Sequence, residues 1–64
     1  IGAVEQKIYT AYKRGVDVFF CPSVNYDDAL KAYNTLKHKE RMALVKVDTL
    51  DDALAYLKNE LEAN

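Results

Sequence analysis

The spacing of apolar residues predicts three helices and two strands along this chain. A helix is predicted over residues 4–14, where apolar side chains recur at helical spacing, and Gly15 supplies its C-terminal stop. Residues 16–21 are mostly β-branched or aromatic, a composition typical of a strand that is covered on both faces. Pro22 ends this strand, because proline cannot donate a hydrogen bond to a neighbouring strand.

The second helix is predicted to begin near Asn25, which is a good N-cap residue, with Asp27 and Asp28 in its first turn. The apolar stripe of this helix consists of Tyr26, Ala29, Leu30, Tyr33 and Leu36. Residues 37–41 are charged and are predicted to form a loop.

A second strand and a third helix follow in the same arrangement. Residues 42–47 are the predicted strand, and either Asp48 or Thr49 caps a helix that carries Asp51 and Asp52 in its first turn. The apolar stripe that we expect to face the core consists of Leu50, Ala53, Leu54, Leu57 and Leu61.

The predicted order is therefore α-β-α-β-α, in a single domain that comprises residues 1–64. Two strands joined by a helix almost always lie parallel, with a right-handed crossover. Two strands do not make a complete sheet. We therefore expect an α/β fragment whose two parallel strands are covered by helices and belong to a larger sheet. An exposed sheet edge would then favour self-association or low stability of the fragment.

Composition argues against several classes of function. Half of the residues are apolar and 30% are charged, which indicates a globular chain, and the net charge of -1 argues against nucleic-acid binding. No stretch is long enough to span a bilayer. Cys21, the only cysteine, is predicted to be a small buried thiol, and His38, the only histidine, is predicted to lie exposed in a loop.

No cofactor and no metal ion are predicted. The sequence Asp-Asp-Ala-Leu occurs twice, at residues 27–30 and 51–54. Adjacent aspartates on a helix point apart, and no third ligand lies nearby in the sequence. Compensation of the helix dipole therefore explains these pairs better than metal binding does.

Lys7 is the candidate catalytic residue, because it falls within the apolar stripe of the first helix. At helical spacing, Lys7 shares one face with Val4, Ile8 and Ala11. Burial lowers the pKa of a lysine, and a lysine that is neutral near pH 7 can act as a general base. The alternative is that Lys7 extends past its apolar neighbours to water as an ordinary surface residue.

The stretch Ile-Gly-Ala-Val-Glu-Gln-Lys at residues 1–7 resembles the lysine motif of Lon-type serine proteases. That motif consists of two glycines, an aliphatic residue, two polar residues and a lysine, and Ala3 stands here in place of the second glycine. Residues 25–29 and 44–54 are similar to one branch of the family, the Lon-like proteases of Gram-positive bacteria that carry a PDZ domain and lack the ATPase. The resemblance covers nearly the whole chain.

The resemblance implies a C-terminal fragment of an ATP-independent Lon-like serine peptidase that uses a Ser-Lys dyad. Lys7 would take the proton from a nucleophilic serine upstream of this chain, so the fragment alone would be inactive. A peptide or protein substrate would bind through the full-length protein. The PDZ-bearing branch implies a membrane-anchored protease outside the cytoplasm, whereas the ATPase-bearing branch is cytoplasmic. The alternative function is a non-catalytic α/β module for packing or protein interaction.

Overall fold

A computed structural model describes residues 3–63 of the chain. Its order of elements confirms the predicted α-β-α-β-α fold, a small α/β arrangement. The elements are α1 Ala3–Lys13, β1 Val18–Cys21, α2 Ser23–Asn34, a short 3₁₀ helix at Lys39–Arg41, β2 Ala43–Lys46 and α3 Leu50–Glu62. Among the helices that these residues form, none combines the length and the apolar composition that a bilayer crossing requires.

The two strands pair in parallel, as predicted for strands that are joined by a helix. Val18 stands opposite Ala43 in the ladder. The N–H of Ala43 donates to the carbonyl oxygen of Asp17 at 2.8 Å, and the N–H of Val47 donates to that of Cys21 at 2.8 Å. The sheet formed by residues 3–63 has only these two strands, so each strand has one paired edge and one free edge.

The core lies between one face of the sheet and the pair of helices α1 and α2. α1 packs against α2, and α2 contacts both strands. The most deeply buried side chains are those of Ile8, Cys21, Ala29, Ala32 and Met42. Phe19 packs against this cluster, whereas the next residue, Phe20, points to the opposite face. The Phe20 ring meets the ring of Tyr56 edge-on at a centroid distance of 5.9 Å, so α3 contacts the second face.

α1 ends in a Schellman motif at Gly15. The N–H of Gly15 donates to the carbonyl oxygen of Tyr12, and the N–H of Val16 donates to that of Ala11, both at 3.1 Å. Gly15 has a φ of +77°, a left-handed conformation that residues with a side chain adopt only with strain. The predicted glycine stop is confirmed, although α1 begins and ends one residue earlier than predicted.

α2 begins two residues earlier than predicted, at Ser23. Pro22 is the N-cap residue, and its carbonyl oxygen accepts the N–H of Asn25 at 3.0 Å. Asn25 therefore lies inside the helix and does not cap it. Asp27 and Asp28 fall beyond the first turn as a consequence, so the prediction that they compensate the dipole there is wrong.

α3 begins with a complete capping box. The hydroxyl of Thr49, the N-cap residue, accepts the N–H of Asp52 at 3.2 Å. The Asp52 carboxylate in turn accepts the N–H groups of Asp48 and Thr49, at 2.9 and 3.1 Å. Thr49 is therefore the cap among the two predicted candidates, and the predicted position of Asp51 and Asp52 in the first turn is confirmed.

The leucines of α3 do not face the core, contrary to the prediction. The exposed fractions of this leucine stripe are 75% for Leu50, 52% for Leu54, 42% for Leu57 and 78% for Leu61. The side chains that turn towards the sheet are those of Ala53 and Tyr56, which are partly buried. Tyr56 and Leu57 are consecutive and therefore lie about 100° apart around the helix axis. Because Tyr56 contacts the sheet, the leucine stripe remains on the flank of the helix.

Three tyrosine hydroxyls anchor the segment between α2 and β2. Their hydrogen bonds join Tyr9 to the hydroxyl of Thr35 at 3.3 Å, Tyr12 to the N–H of His38 at 3.0 Å, and Tyr33 to the carbonyl oxygen of Lys39 at 2.8 Å. Tyr12 and Tyr33 also pack against the core, and for Tyr33 this was predicted by its place on the apolar stripe of the second helix. The charged segment that was predicted to be a loop is thus tied to both α1 and α2.

Candidate functional site

Lys7, the predicted catalytic residue, lies on α1 with its side chain exposed. The prediction that Lys7 belongs to the buried stripe is therefore wrong. Ile8 is fully buried, and consecutive residues of a helix lie about 100° apart around its axis. The face that centres on Ile8 consequently leaves Lys7 at its margin, where the amine reaches water.

A groove of about 230 Å³ lies beside Lys7, between the start of α1 and β1. Its lining includes residues 19–21 of β1 together with Pro22 and Asn25. Consecutive strand residues point to opposite faces of a sheet, so a groove that is lined by three of them runs along an edge of the strand. β2 occupies the other edge of β1. Lys7 therefore stands beside a groove along the free edge of β1.

A second, more open depression of about 340 Å³ borders Lys7 on the other side. Thr10, Ala11 and Arg14 of α1 line it together with Val16. Lys7 thus stands on a ridge between two depressions, of which only the first is lined by strand residues.

The lysine motif lies only partly within the part of the chain that the structure describes. Ile1 and Gly2 fall outside residues 3–63. Ala3, which stands in place of the second glycine of the Lon motif, is the first residue of α1. Glycine is the only residue type with a positive φ between residues 3 and 63, so Ala3 introduces no left-handed strain where the motif meets the helix.

A serine and an aspartate link the ends of the two strands. Ser23 and Asp48 each lie two residues beyond a strand. The Ser23 hydroxyl donates to the two carboxylate oxygens of Asp48, at 2.5 and 2.6 Å, and its N–H donates to one of them at 2.9 Å. These hydrogen bonds, the hydroxyl's first, hold the pKa of Asp48 below its usual value. One sequence signal could have found this pair, because matching positions after parallel strands meet at the same end of a sheet.

Neither Ser23 nor Cys21 is arranged as an activated nucleophile among residues 3–63. The hydrogen-bond partner of the Ser23 hydroxyl is a carboxylate and not the nitrogen base that serine catalysis commonly uses. Cys21 is fully buried, and burial raises the pKa of its thiol. The thiol donates to the carbonyl oxygen of Pro22 at 3.4 Å, which confirms the predicted structural role of Cys21.

His38 is exposed, as predicted, and its Nδ1 atom lies 3.6 Å from a carboxylate oxygen of Glu40. Within the described part of the chain, no group of three or more histidine, cysteine, aspartate or glutamate side chains is placed to hold a metal ion. Asp52 serves the capping box, and the N–H groups of Asp48 and Thr49 lower its pKa.

The arrangement of residues 3–63 thus presents an amine beside a groove at a strand edge. An amine in this position can exchange a proton with a group that is held in the groove. A free strand edge can bind an extended peptide through main-chain hydrogen bonds. Comparisons of the chain with protein-family models, with curated proteins and with solved structures find no match.

Proposed function

We propose that this chain is the C-terminal part of a Lon-like serine peptidase and that Lys7 is the general base of its Ser-Lys dyad. The observation that carries the proposal is the position of Lys7 beside the groove along the free edge of β1. The likeness of residues 1–7 to the lysine motif supports the same role. On this likeness we also place the parent protein outside the cytoplasm, anchored to the membrane.

The free edge of β1 suits a peptide substrate. An extended peptide that adds to a strand edge gains main-chain hydrogen bonds without regard to its sequence, while its alternate side chains enter pockets. The groove offers apolar surface from Phe19 and Phe20 for such side chains. A substrate bound there would pass close to Lys7, which is the placement that proton transfer at a scissile bond requires.

The reaction that we propose is acyl transfer followed by hydrolysis. The Nζ atom of Lys7 accepts the proton of a serine hydroxyl from the upstream part of the protein, and the serine oxygen attacks the peptide carbonyl carbon. The peptide C–N bond breaks, and the leaving amine takes the proton from Lys7. Water then gives a proton to Lys7, and its oxygen attacks the carbonyl carbon of the acyl-enzyme. The ester C–O bond breaks, Lys7 returns the proton to the serine oxygen, and the carboxyl product leaves.

The exposure of Lys7 sets a requirement for this mechanism. An amine becomes a useful base near neutral pH when water is removed from around it. Residues 3–63 leave the Lys7 side chain exposed, so the segment that carries the serine has to cover the groove. We therefore expect the 64-residue chain alone to cleave no peptide bond.

The test is peptide cleavage by the longer protein that carries this chain, with three variants compared. Lys7→Ala removes the base, and we expect kcat/KM to fall by at least about 100-fold. Lys7→Arg keeps the positive charge, but a guanidinium does not lose its proton, so we expect an equal loss. Lys31→Ala, at an exposed position on α2, is the matched control and should retain full activity.

Two outcomes would contradict the proposal. Full activity of Lys7→Ala would remove Lys7 from the reaction. Activity that Lys7→Arg retains and Lys7→Ala loses would assign to Lys7 a charge that binds substrate, because only the charge survives in arginine.

The second candidate function is a non-catalytic α/β module for packing or protein interaction. The exposed leucine stripe of α3 favours it, since large exposed apolar patches commonly mark interaction sites. The sequence upstream of Lys7 discriminates the two functions. A serine flanked by small residues is expected there for the peptidase, and its absence would favour the interaction module.

A further inference from the structure

We propose that α3 binds the α3 of a second copy of this chain, in antiparallel orientation, through the leucine stripe Leu50, Leu54, Leu57 and Leu61. This inference is independent of any role of Lys7, which lies on α1. It rests on the spacing of the leucines, on their exposure, and on the charges that flank them.

The leucines follow one another at intervals of four, three and four residues, which is the spacing of the a and d positions of a coiled coil. The stripe runs along most of α3, over roughly 16 Å at the rise of an α-helix. Each of the four side chains is at least 42% exposed, although the helix already packs on the sheet through Tyr56. α3 thus has a second apolar face that the described part of the chain does not cover.

The flanking charges favour the antiparallel orientation. With the leucines at a and d positions, Asp51 and Lys58 both occupy e positions. In an antiparallel pair the e positions of the two helices face each other, so Asp51 meets Lys58 of the partner subunit, and the two-fold axis repeats this pair. In a parallel pair Lys58 would face Ala53 and would gain no opposite charge. Both charged side chains are exposed.

The size of the stripe fits a weak dimer. Four leucines with these exposures present a patch on the order of 400 Å², as large as the main patch of a typical monomer. Two copies would bury on the order of 1,000 Å² in total once the flanking residues are included, which is near the lower limit for a specific interface. We therefore expect dissociation in the micromolar range or above and a two-fold symmetric complex.

The first test is sedimentation equilibrium of the 64-residue chain over a range of concentrations. We expect a monomer–dimer equilibrium for the unaltered chain. The double variant Leu54→Glu/Leu57→Glu places carboxylates at the centre of the contact and should raise the dissociation constant by about 100-fold or more. Val24→Glu changes a residue of α2 that is 87% exposed and should leave the dissociation constant unchanged.

The second test exchanges the flanking charges and does not touch the leucines. Asp51→Lys or Lys58→Asp alone sets like charges against each other at two symmetric places and should raise the dissociation constant about tenfold. The double exchange Asp51→Lys/Lys58→Asp restores opposite pairs and should restore the original affinity. Circular dichroism of each variant serves as the control for unchanged helix content.

Three results would overturn the proposal. A chain that stays monomeric at all concentrations would show that the stripe binds no second copy. Association that survives Leu54→Glu/Leu57→Glu would place the contact elsewhere, such as at a free strand edge. Failure of the double charge exchange to recover the affinity lost by the single exchanges would exclude the antiparallel pairing.

Discussion

Shortening Ile8 tests whether the core is built around this side chain. Ile8 is fully buried, and its cluster includes Ala29 and Ala32, which have no long side chains that could move into a hole. Ile8→Val removes one methylene and should cost about 0.5–1.5 kcal/mol, while Ile8→Ala should cost about 3–5 kcal/mol, in the upper part of the usual range. A chain of 64 residues has a total free energy of unfolding of about 3–10 kcal/mol, so Ile8→Ala should leave little of it.

The assay is urea unfolding followed by circular dichroism, at a protein concentration low enough that association does not contribute. The matched control is Val24→Ala, because Val24 is 87% exposed and its truncation should change the free energy by no more than about 0.5 kcal/mol. The core described above would be refuted if Ile8→Ala lowered the free energy of unfolding by less than about 1 kcal/mol while the slope of that free energy against urea concentration stayed unchanged. Equal losses for the two positions would do the same.

Three further predictions follow from the turn, the carboxylates and the thiol. Gly15→Ala should lower the free energy of unfolding by about 1–2 kcal/mol, and Gly15→Asn by less, because asparagine tolerates a positive φ better. The lowered pKa values of Asp48 and Asp52 contribute stability above the unfolded value of about 3.9, and this stability is lost as pH falls through the folded values. The midpoint of unfolding should therefore fall as the solution is made more acidic, and it should fall less steeply in the Asp48→Asn variant than in the unaltered chain. An equally steep fall in both would contradict this prediction. Cys21 should react with Ellman's reagent only after unfolding in urea; rapid reaction of the native chain would contradict its burial.

The sequence predicted the elements and their order because each depends on local signals. Gly15 ends α1 as expected, since only glycine adopts its left-handed φ without strain. The parallel pairing follows from the helix that joins the strands. The start of α2 was misplaced because the prediction rested on the cap preference of Asn25, whereas Pro22 holds the N-cap position with a φ of -60° and no side-chain hydrogen bond to the helix.

Lys7 and the leucines of α3 were misplaced for one common reason. Helical spacing shows which residues share a face of a helix. It does not show whether that face or an adjacent one turns towards the core. In α1 the dominant packing contact is made by Ile8, the residue next to Lys7, and in α3 it is made by Tyr56, the residue next to Leu57. Consecutive residues lie about 100° apart around a helix axis, so Lys7 and Leu57 are turned away from the packed face. The link between Ser23 and Asp48 follows only when the parallel pairing is combined with the matching positions of the two residues after their strands, which neither local pattern shows alone.

Tyrosine hydroxyls hold the segment between α2 and β2 in place. Because these hydroxyls are not part of the core packing, the segment can open while the core stays folded. A change such as Tyr12→Phe removes the hydroxyl that accepts the N–H of His38 and keeps the ring that packs inside. The segment could then open on its own, at a free energy well below that of global unfolding. Evolution or a protein engineer could thus loosen this surface by removing single oxygen atoms, without repacking the interior.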